Sequence, residues 1–428
     1  MLPAFLILVL STAICHDAPQ QWAEMAGVNG SIQMSERPPV TDWLTDWDHL
    51  APQWVDDPFP IWAEIRSSGC PIAHTERYRG AYLPTRYADI REIAYDSEHF
   101  SSRQVVVRDS QPVTGGGAPP ITSDPPKHRA ARMVLLPPFT PQAIEKLKPK
   151  ARVICNDLID AFADKRGFDA ALEYAQHIPV RVIAAMLGIP ESDGDRFRKW
   201  IHEILELGTT DDAILQRGLN EITEYFAGHM SVRQSAPGDD LISYLMRARY
   251  PDGEPFKPNH VLGSLRLLLV AGIDTTWSGI GASIWHLART PADRERLVRE
   301  PELIPTAIEE FLRAYAPVTM ARLVAKETTV NGCTFAEGQM VLLPFPAANR
   351  DPEAFPDADK VIIDRQENRH AAFGLGIHRC VGSNLARMEM TVAIEELLRR
   401  CPEFHLAGDV TWSHGSVRGP RRLPITFP

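Results

Sequence analysis

Between Asn259 and Ala288 runs the longest apolar helical pattern in the sequence, about 30 residues that would extend on the order of 45 Å as one helix. A helix that is apolar on every side has to be covered on every side, by lipid or by protein. Arg266 and Asp274 interrupt it, and charges at mid-depth argue for a central helix buried in a large helical body rather than a membrane span. With 428 residues, 44% of them hydrophobic and 23% charged, the chain has ample material for such a body.

The middle of this helix is oddly built. It reads Ala271-Gly272-Ile273-Asp274-Thr275-Thr276. Glycine inside a helix costs about 1 kcal/mol relative to alanine, and paired threonines are indifferent helix formers. Ala271 and Gly272 precede Thr275 by four and three residues, so small side chains line the face on which its hydroxyl projects. A hydroxyl competing for a backbone carbonyl there would open a groove fit for a diatomic molecule. Asp274 is a carboxylate in apolar surroundings, a costly placement unless it is paired or functional. Alone, these residues would favour a kinked helix in a packed core.

A second stretch bears on the choice: Phe373-Gly374-Leu375-Gly376-Ile377-His378-Arg379-Cys380-Val381-Gly382, just ahead of a helical pattern through Leu385, Met388, Val392 and Leu397. The glycines allow a tight turn and the approach of something bulky. A cysteine before a helix faces N–H groups and the positive end of the dipole, which favour the thiolate. A thiolate held against a flat object is what a haem iron ligand needs, although an isolated cysteine is more often a buried core thiol. The spacing Phe, two residues, Gly, one residue, His, one residue, Cys, one residue, Gly resembles the haem-ligand loop of the cytochrome P-450 family. The hexapeptide of the long helix matches that family's oxygen-binding segment.

The resemblance runs from about Trp43 to Pro428 and implies a mainly α fold with small β-sheets, one triangular domain with a long helix over the haem. It implies Cys380 as the axial ligand of haem b, with Phe373, Gly374, His378 and Gly382 beside it and Ala271 and Gly272 on the other face. His128 and Arg132, four apart on a helix capped by Asp124, and Arg322 on a strand past the haem edge would bind the propionates. Glu310 and Arg313 match the family's Glu-x-x-Arg element, with Arg365 as third member. Thr275 would keep a proton on the bound dioxygen and Asp274 would relay protons from solvent. Leu268, Val318, Thr319, Met320, Val417 and the 101–123 loop would face the substrate, expected to be a small-to-medium apolar molecule such as a terpenoid or aromatic. The implied reaction is insertion of one oxygen atom of O2 into a C–H bond; a haem-thiolate sensor would need Cys380 but not the Asp274–Thr275 pair.

Electrons must come from another protein, because no dinucleotide fingerprint follows a strand and no iron–sulfur cysteine cluster is present. The expected donors are a ferredoxin and its NAD(P)H-dependent reductase, docking on positive charge at Lys127, Arg129 and Arg379. The net charge of −10 argues against a nucleic-acid partner, and six scattered cysteines fit a reducing cytoplasm. Residues 2–15 form an apolar run too short to cross a bilayer comfortably. Since the stretch from Met34 reads as an ordinary soluble start, residues 1–33 are expected to be an upstream extension and 34–428 the haem domain, without stable membrane association. Five helices are expected between 150 and 250 (151–163, 179–187, 193–207, 213–230 and 241–249), a zone that in the family includes the lid over the cavity. Hairpins are expected at Asn331-Gly332, at Glu337-Gly338 and over 412–424.

Overall fold

The computed structural model describes residues 37–70, 72–109 and 117–428. The expectation for residues 1–33 and part of the 101–123 loop, including Gly115 and Gly116, lie outside the described residues.

Proline at the first position, where a missing N–H costs nothing, opens the central helix, which runs Pro258–Arg289. Among the described residues it is the one helix long and apolar enough to cross a membrane, and 72% of its apolar window is buried inside the protein. Its coat is protein. Helices His177–Leu187, Asp212–Ser235, Ile304–Ala314 and Ser383–Arg400 pack against it, and their apolar faces merge with its own into one large core.

The expected helices between 150 and 250 are present as Lys148–Asp160, His177–Leu187, Gly194–Leu205, Asp212–Ser235 and Leu241–Arg247. Local chemistry sets several ends. Asp211 accepts from the N–H groups of Ala213 and Ile214, and Asp240 accepts from Ser243 N, each satisfying donors that a helix start leaves free. Asp124 does not cap the next helix in this way. That helix, Lys127–Leu135, has no side-chain cap; the Asp124 carboxylate turns to Ser101 Oγ and Ser102 N, because strand Phe100–Ser101 offers closer donors.

A smaller, mixed sheet stands to one side. Its strands are β1 (Ile72–Thr75), β2 (Ala81–Pro84), β3 (Phe100–Ser101), β4 (Thr319–Val324) and β5 (Met340–Pro344), in the order β1-β2-β5-β4-β3. Only the β2–β5 pair is parallel. Asn331-Gly332 does turn a hairpin, with both residues at positive φ, joining Thr328–Val330 to Cys333–Phe335. Glu337-Gly338 does not: β5 leaves that ribbon and enters the sheet between β2 and β4. All five of its residues are buried, so it belongs in the middle of a sheet and not at the edge of a ribbon. Near the C-terminus Thr411–Trp412 pairs with Pro420–Arg422 across a register shift, and Ser413 Oγ donates to Val417 O to tie the tip.

Candidate active site

The cysteine loop is a set of turns closed on itself. Cys380 N donates to Phe373 O at 2.7 Å and Gly374 N to Ala371 O at 2.8 Å. Gly374 and Gly376 both have φ of +70°, and a Cβ on Gly376 would lie 2.3 Å from Ala94 O, so no other residue fits there. The Arg387 guanidinium lies 4.4 Å from the Phe373 ring centroid and also pairs with Glu309 at 2.6 Å, pinning the loop to the following helix. Gly382, whose added Cβ would stand 3.9 Å from Cys380 Sγ, leaves its N–H free to bond the sulfur. Cys380 is exposed, yet lies deep enough that burial pushes its thiol up, against the opposing pull of the Gly382 N–H and of Arg132, Arg379 and Arg387. Both hold together if the sulfur faces an internal space. The Gly382 N–H and the three arginines thus work against the burial, in the direction that favours a thiolate.

The central helix is buried along most of its length but open at its middle, where Ala271 is exposed and Gly272 and Thr275 are half-buried. Thr275 Oγ1 donates back to Ala271 O at 3.0 Å. A Cβ on Gly272 would meet only Ile183, at an ordinary 3.6 Å, so packing within the protein does not demand the glycine. Asp274 points the other way and is fully buried, its Oδ1 2.8 Å from Arg421 Nη2. Burial pushes it up to about 6 although Arg421 pulls it down.

A third cluster collects donors without acceptors. The His128 and His378 rings meet edge to face, centroids 4.4 Å apart, and the Nε2 of each is buried with no hydrogen-bond partner among the described residues. Arg322 is 4% exposed and, among the described residues, donates only to Ala321 O; burial pushes it down to about 10, against the pull of Asp124. Arg132 donates to Arg379 O. Burial and then Arg322, His128 and Arg132 depress His378 to about 3. Buried guanidinium and ring nitrogens left without acceptors are costly, so this cluster fits an anionic ligand with acid groups at one edge. Thiol, open helix face and anion-seeking cluster together fit haem.

Comparison with known proteins decides the family. The chain is 35% identical to the mycinamicin IV hydroxylase/epoxidase of Micromonospora griseorubida over 361 residues, which cover 81% of this chain and 89% of that one. The chain belongs to the cytochrome P450 family. The family's own profile, "Cytochrome P450", matches residues 212–409. The vitamin D(3) 25-hydroxylase of Pseudonocardia autotrophica is 32% identical over 87% of this chain and 94% of its own. Among solved structures, a myxobacterial P450 in complex with myristic acid superposes with a TM-score of 0.82 at 33% identity, covering 89% of this chain and 98% of that one. CYP109E1 from Bacillus megaterium, solved with testosterone, gives 0.80 at 31% identity, covering 86% and 97%.

This cytochrome P450 is therefore a haem b monooxygenase with the mainly helical fold of its family. Behind the cysteine loop, Glu310 and Arg313 are wholly buried and joined by two bonds of 2.8 Å, and Arg365 Nε reaches the same carboxylate at 3.0 Å. Of the residues expected around the substrate, Val318 and Val417 meet in a β-bridge, and Thr319 lines a narrow cleft with Trp54, Pro317, Ser416 and Arg418. Met320 packs on the core of the small sheet, and Leu268 is buried in the main helical core. Sequence reasoning missed Arg421 and Glu206, whose carboxylate Arg421 Nε reaches at 2.6 Å.

Proposed function

We propose that this P450 inserts one atom of O2 into a C–H bond of a small-to-medium apolar substrate, of terpenoid or aromatic type, in the cytoplasm, drawing electrons from a ferredoxin and its NAD(P)H-dependent reductase. The reading is carried by one observation: in the buried middle of the central helix a half-buried Thr275 on the open Ala271–Gly272 face is preceded in the chain by a fully buried Asp274 paired with Arg421. Haem, when bound, supplies the iron chemistry that cleaves O2, with thiolate donation favouring that cleavage.

The chain's own groups do the rest. Cys380 Sγ holds the iron and the Gly382 N–H moderates its donation. Phe373 and Gly374 shape the loop around the sulfur. His128, Arg132, His378 and Arg322 hold the acid groups. Ala271 and Gly272 leave room for O2, the Thr275 hydroxyl keeps a proton where oxygen binds, and Asp274 replenishes it from the solvent side. Of the residues expected at the substrate, the half-buried Val318, Thr319 and Met320 orient it and exclude water. Names of relatives that carry mycinamicin IV or vitamin D(3), and neighbours solved with testosterone or myristic acid, support an apolar organic substrate.

Screening apolar compounds for a spin-state change of the ferric protein, then supplying isotopically heavy dioxygen, tests this directly: the product should carry one heavy oxygen atom. In Thr275→Ala, electron consumption should continue while hydrogen peroxide replaces most of the product. Fully coupled hydroxylation in that variant removes Thr275 from the proposed role.

The electron donor has a face to meet. Tyr95, Met133, Leu136 and Ile377 are 38–58% exposed, and all sit on elements touching the cysteine loop. Exposed Lys127, Arg129 and Arg379 stand on the same elements. An apolar centre with a basic rim suits an acidic ferredoxin. Lys127→Glu with Arg129→Glu should slow ferredoxin-driven reduction about tenfold at low salt and leave chemical reduction by dithionite unchanged. Equal loss with both donors would place the defect elsewhere.

A further inference from the structure

His286, in the last turn of the central helix, is engaged at both ring nitrogens. Its Nδ1 lies 2.8 Å from the Tyr315 hydroxyl and its Nε2 lies 2.7 Å from Asp293 Oδ2. An ionised carboxylate only accepts, so Nε2 carries the ring proton and Nδ1 accepts from the phenol. A base aimed at an O–H, with a carboxylate behind it to steady the imidazolium, is placed to take that proton. The three residues come from three elements: Tyr315 closes helix Ile304–Ala314, and Asp293 sits in the first turn of helix Pro291–Arg299. His286 is 6% exposed and the Phe311 ring packs on it at 5.1 Å, so little water reaches the base. Burial pushes Tyr315 up to about 12, so the phenol ordinarily keeps its proton. Tyr250 and His260 form a similar pair at 2.9 Å, but there the second ring nitrogen is buried with no partner among the described residues. The carboxylate sets Tyr315 apart.

Acid–base work by Tyr315 would need a substrate atom at its oxygen, and that oxygen is committed to His286. Losing an electron needs no such contact: an oxidised phenol is strongly acidic, and His286 Nδ1 is in place to receive its proton. Aromatic rings lead from Tyr315 towards the surface. Trp285 meets it edge to face at 5.5 Å, and Trp412 meets Trp285 the same way at 5.2 Å, both indoles being half-buried. Arg289 lies 4.5 Å over Trp285 and Arg418 lies 4.6 Å over Trp412. A guanidinium at each indole disfavours a positive charge resting there, so oxidation settles on Tyr315, which can shed its charge as a proton. Inward, Tyr315 stands three residues before Val318, no more than about 11 Å along the chain. The strand that follows carries Arg322, a member of the cluster that fits the haem acids.

We infer that Tyr315, with His286 as proton acceptor and Asp293 as orienting carboxylate, is a redox-active tyrosine that protects this P450 when oxygen is activated and no C–H bond is there to receive it. An electron leaves Tyr315 for the haem, the phenol proton moves to His286 Nδ1, and Asp293 balances the imidazolium. A soluble one-electron reductant of enediol or thiol type then returns an electron through Trp412 and Trp285, and His286 gives the proton back. Two such cycles, with two protons drawn from solvent at the haem, convert the uninserted oxygen atom to water. The route draws on the family's O2 chemistry and not on the identity of the substrate; only its inner step rests on the reading of Val318 as substrate-facing.

The test is rapid-freeze electron paramagnetic resonance of the substrate-free ferric holoprotein mixed with an organic peracid, which oxidises the haem without a reductase. Wild type should give a tyrosyl signal, which Tyr250→Phe should leave in place and Tyr315→Phe should remove. His286→Gln keeps both bonds, since its amide oxygen accepts from Tyr315 and its nitrogen donates to Asp293, but it cannot take a proton. In that variant the signal should form about a hundredfold more slowly. If Tyr315→Phe fails to hold haem, His286→Gln decides the matter alone. Trp412→Phe should leave formation unchanged and slow the decay that added ascorbate causes. The inference is overturned if wild type forms no tyrosyl signal, or if the signal survives in Tyr315→Phe. It is also overturned if His286→Gln forms the signal as fast as wild type, the result expected of bonds that merely hold three elements together. An ascorbate decay unchanged in Trp412→Phe would overturn the surface branch. None of these outcomes alters the spin-state and heavy-oxygen results expected of the proposed reaction, so the two readings fail separately.

Discussion

Cys380→Ala should abolish turnover and remove the red-displaced absorption of the reduced, carbon-monoxide-treated protein, while leaving the fold nearly intact. The separation of the two effects follows from how the loop is held. Its closure depends on main-chain bonds from Cys380 N to Phe373 O and from Gly374 N to Ala371 O, on two positive-φ glycines, and on the Arg387–Glu309 pair. The sulfur contributes none of these; its one bond comes from the Gly382 N–H. Losing a half-satisfied thiol costs little in a protein of ordinary stability, whereas losing the thiolate removes the iron's electron donor. Thermal melts of the metal-free protein should therefore nearly coincide for wild type and variant. Cys155 and Cys401 are buried in the main core and belong to other elements, so neither can substitute. A red-displaced band surviving in Cys380→Ala would remove sulfur at this position from the metal centre.

What could be read from the sequence was what depends on neighbours along the chain. The central helix lies within a residue of its expected ends because an apolar pattern and an opening proline are local signals. The cysteine loop was legible because its glycines are required by backbone geometry, and geometry at positive φ excludes almost everything else. The partners of buried charges were not legible. Arg421 sits in Arg421-Arg422, which reads as two solvated cations on a short strand, yet the first is enclosed between Asp274, Glu206 and Trp277 and the second donates to Asp409 O near the surface. Alternation along the strand assigns them opposite sides but not which side is the interior. β5 failed for the same reason: a run of apolar residues shows that a strand is buried, not which strands it lies between. Likewise Asp124 is a sound N-cap by sequence, and only the arrival of Ser101 and Ser102 from another strand diverts it.

The largest expected loss of stability is in Glu310→Ala. Glu310 and Arg313 are both 0% exposed, and the carboxylate also accepts from Arg365 Nε at 3.0 Å, Ile362 N at 2.8 Å and Asn368 Nδ2 at 3.1 Å. Arg313 spends its remaining donors on the carbonyls of Asn349, Ala358 and Lys360 at 2.7–2.8 Å. One buried ion pair thus fastens the irregular segment ahead of the cysteine loop to helix Ile304–Ala314, and Asn349 Oδ1 carries the hold forward to Ala371 N at 2.7 Å. Removing the carboxylate leaves a guanidinium buried without its counter-charge, a penalty of about 3–5 kcal/mol and a large part of a typical protein's stability. The chain should still form its helices, which do not depend on this pair, but the loop that presents Cys380 should lose its register, so haem occupancy should fall with the denaturant midpoint. Glu98→Ala breaks a pair with Lys326 at 2.7 Å whose side chains are 69% and 59% exposed, and water compensates there, so neither quantity should move. Urea unfolding and haem titration of the two variants side by side check both statements. If Glu310→Ala unfolds like Glu98→Ala, the buried pair is not what holds the cysteine loop in place.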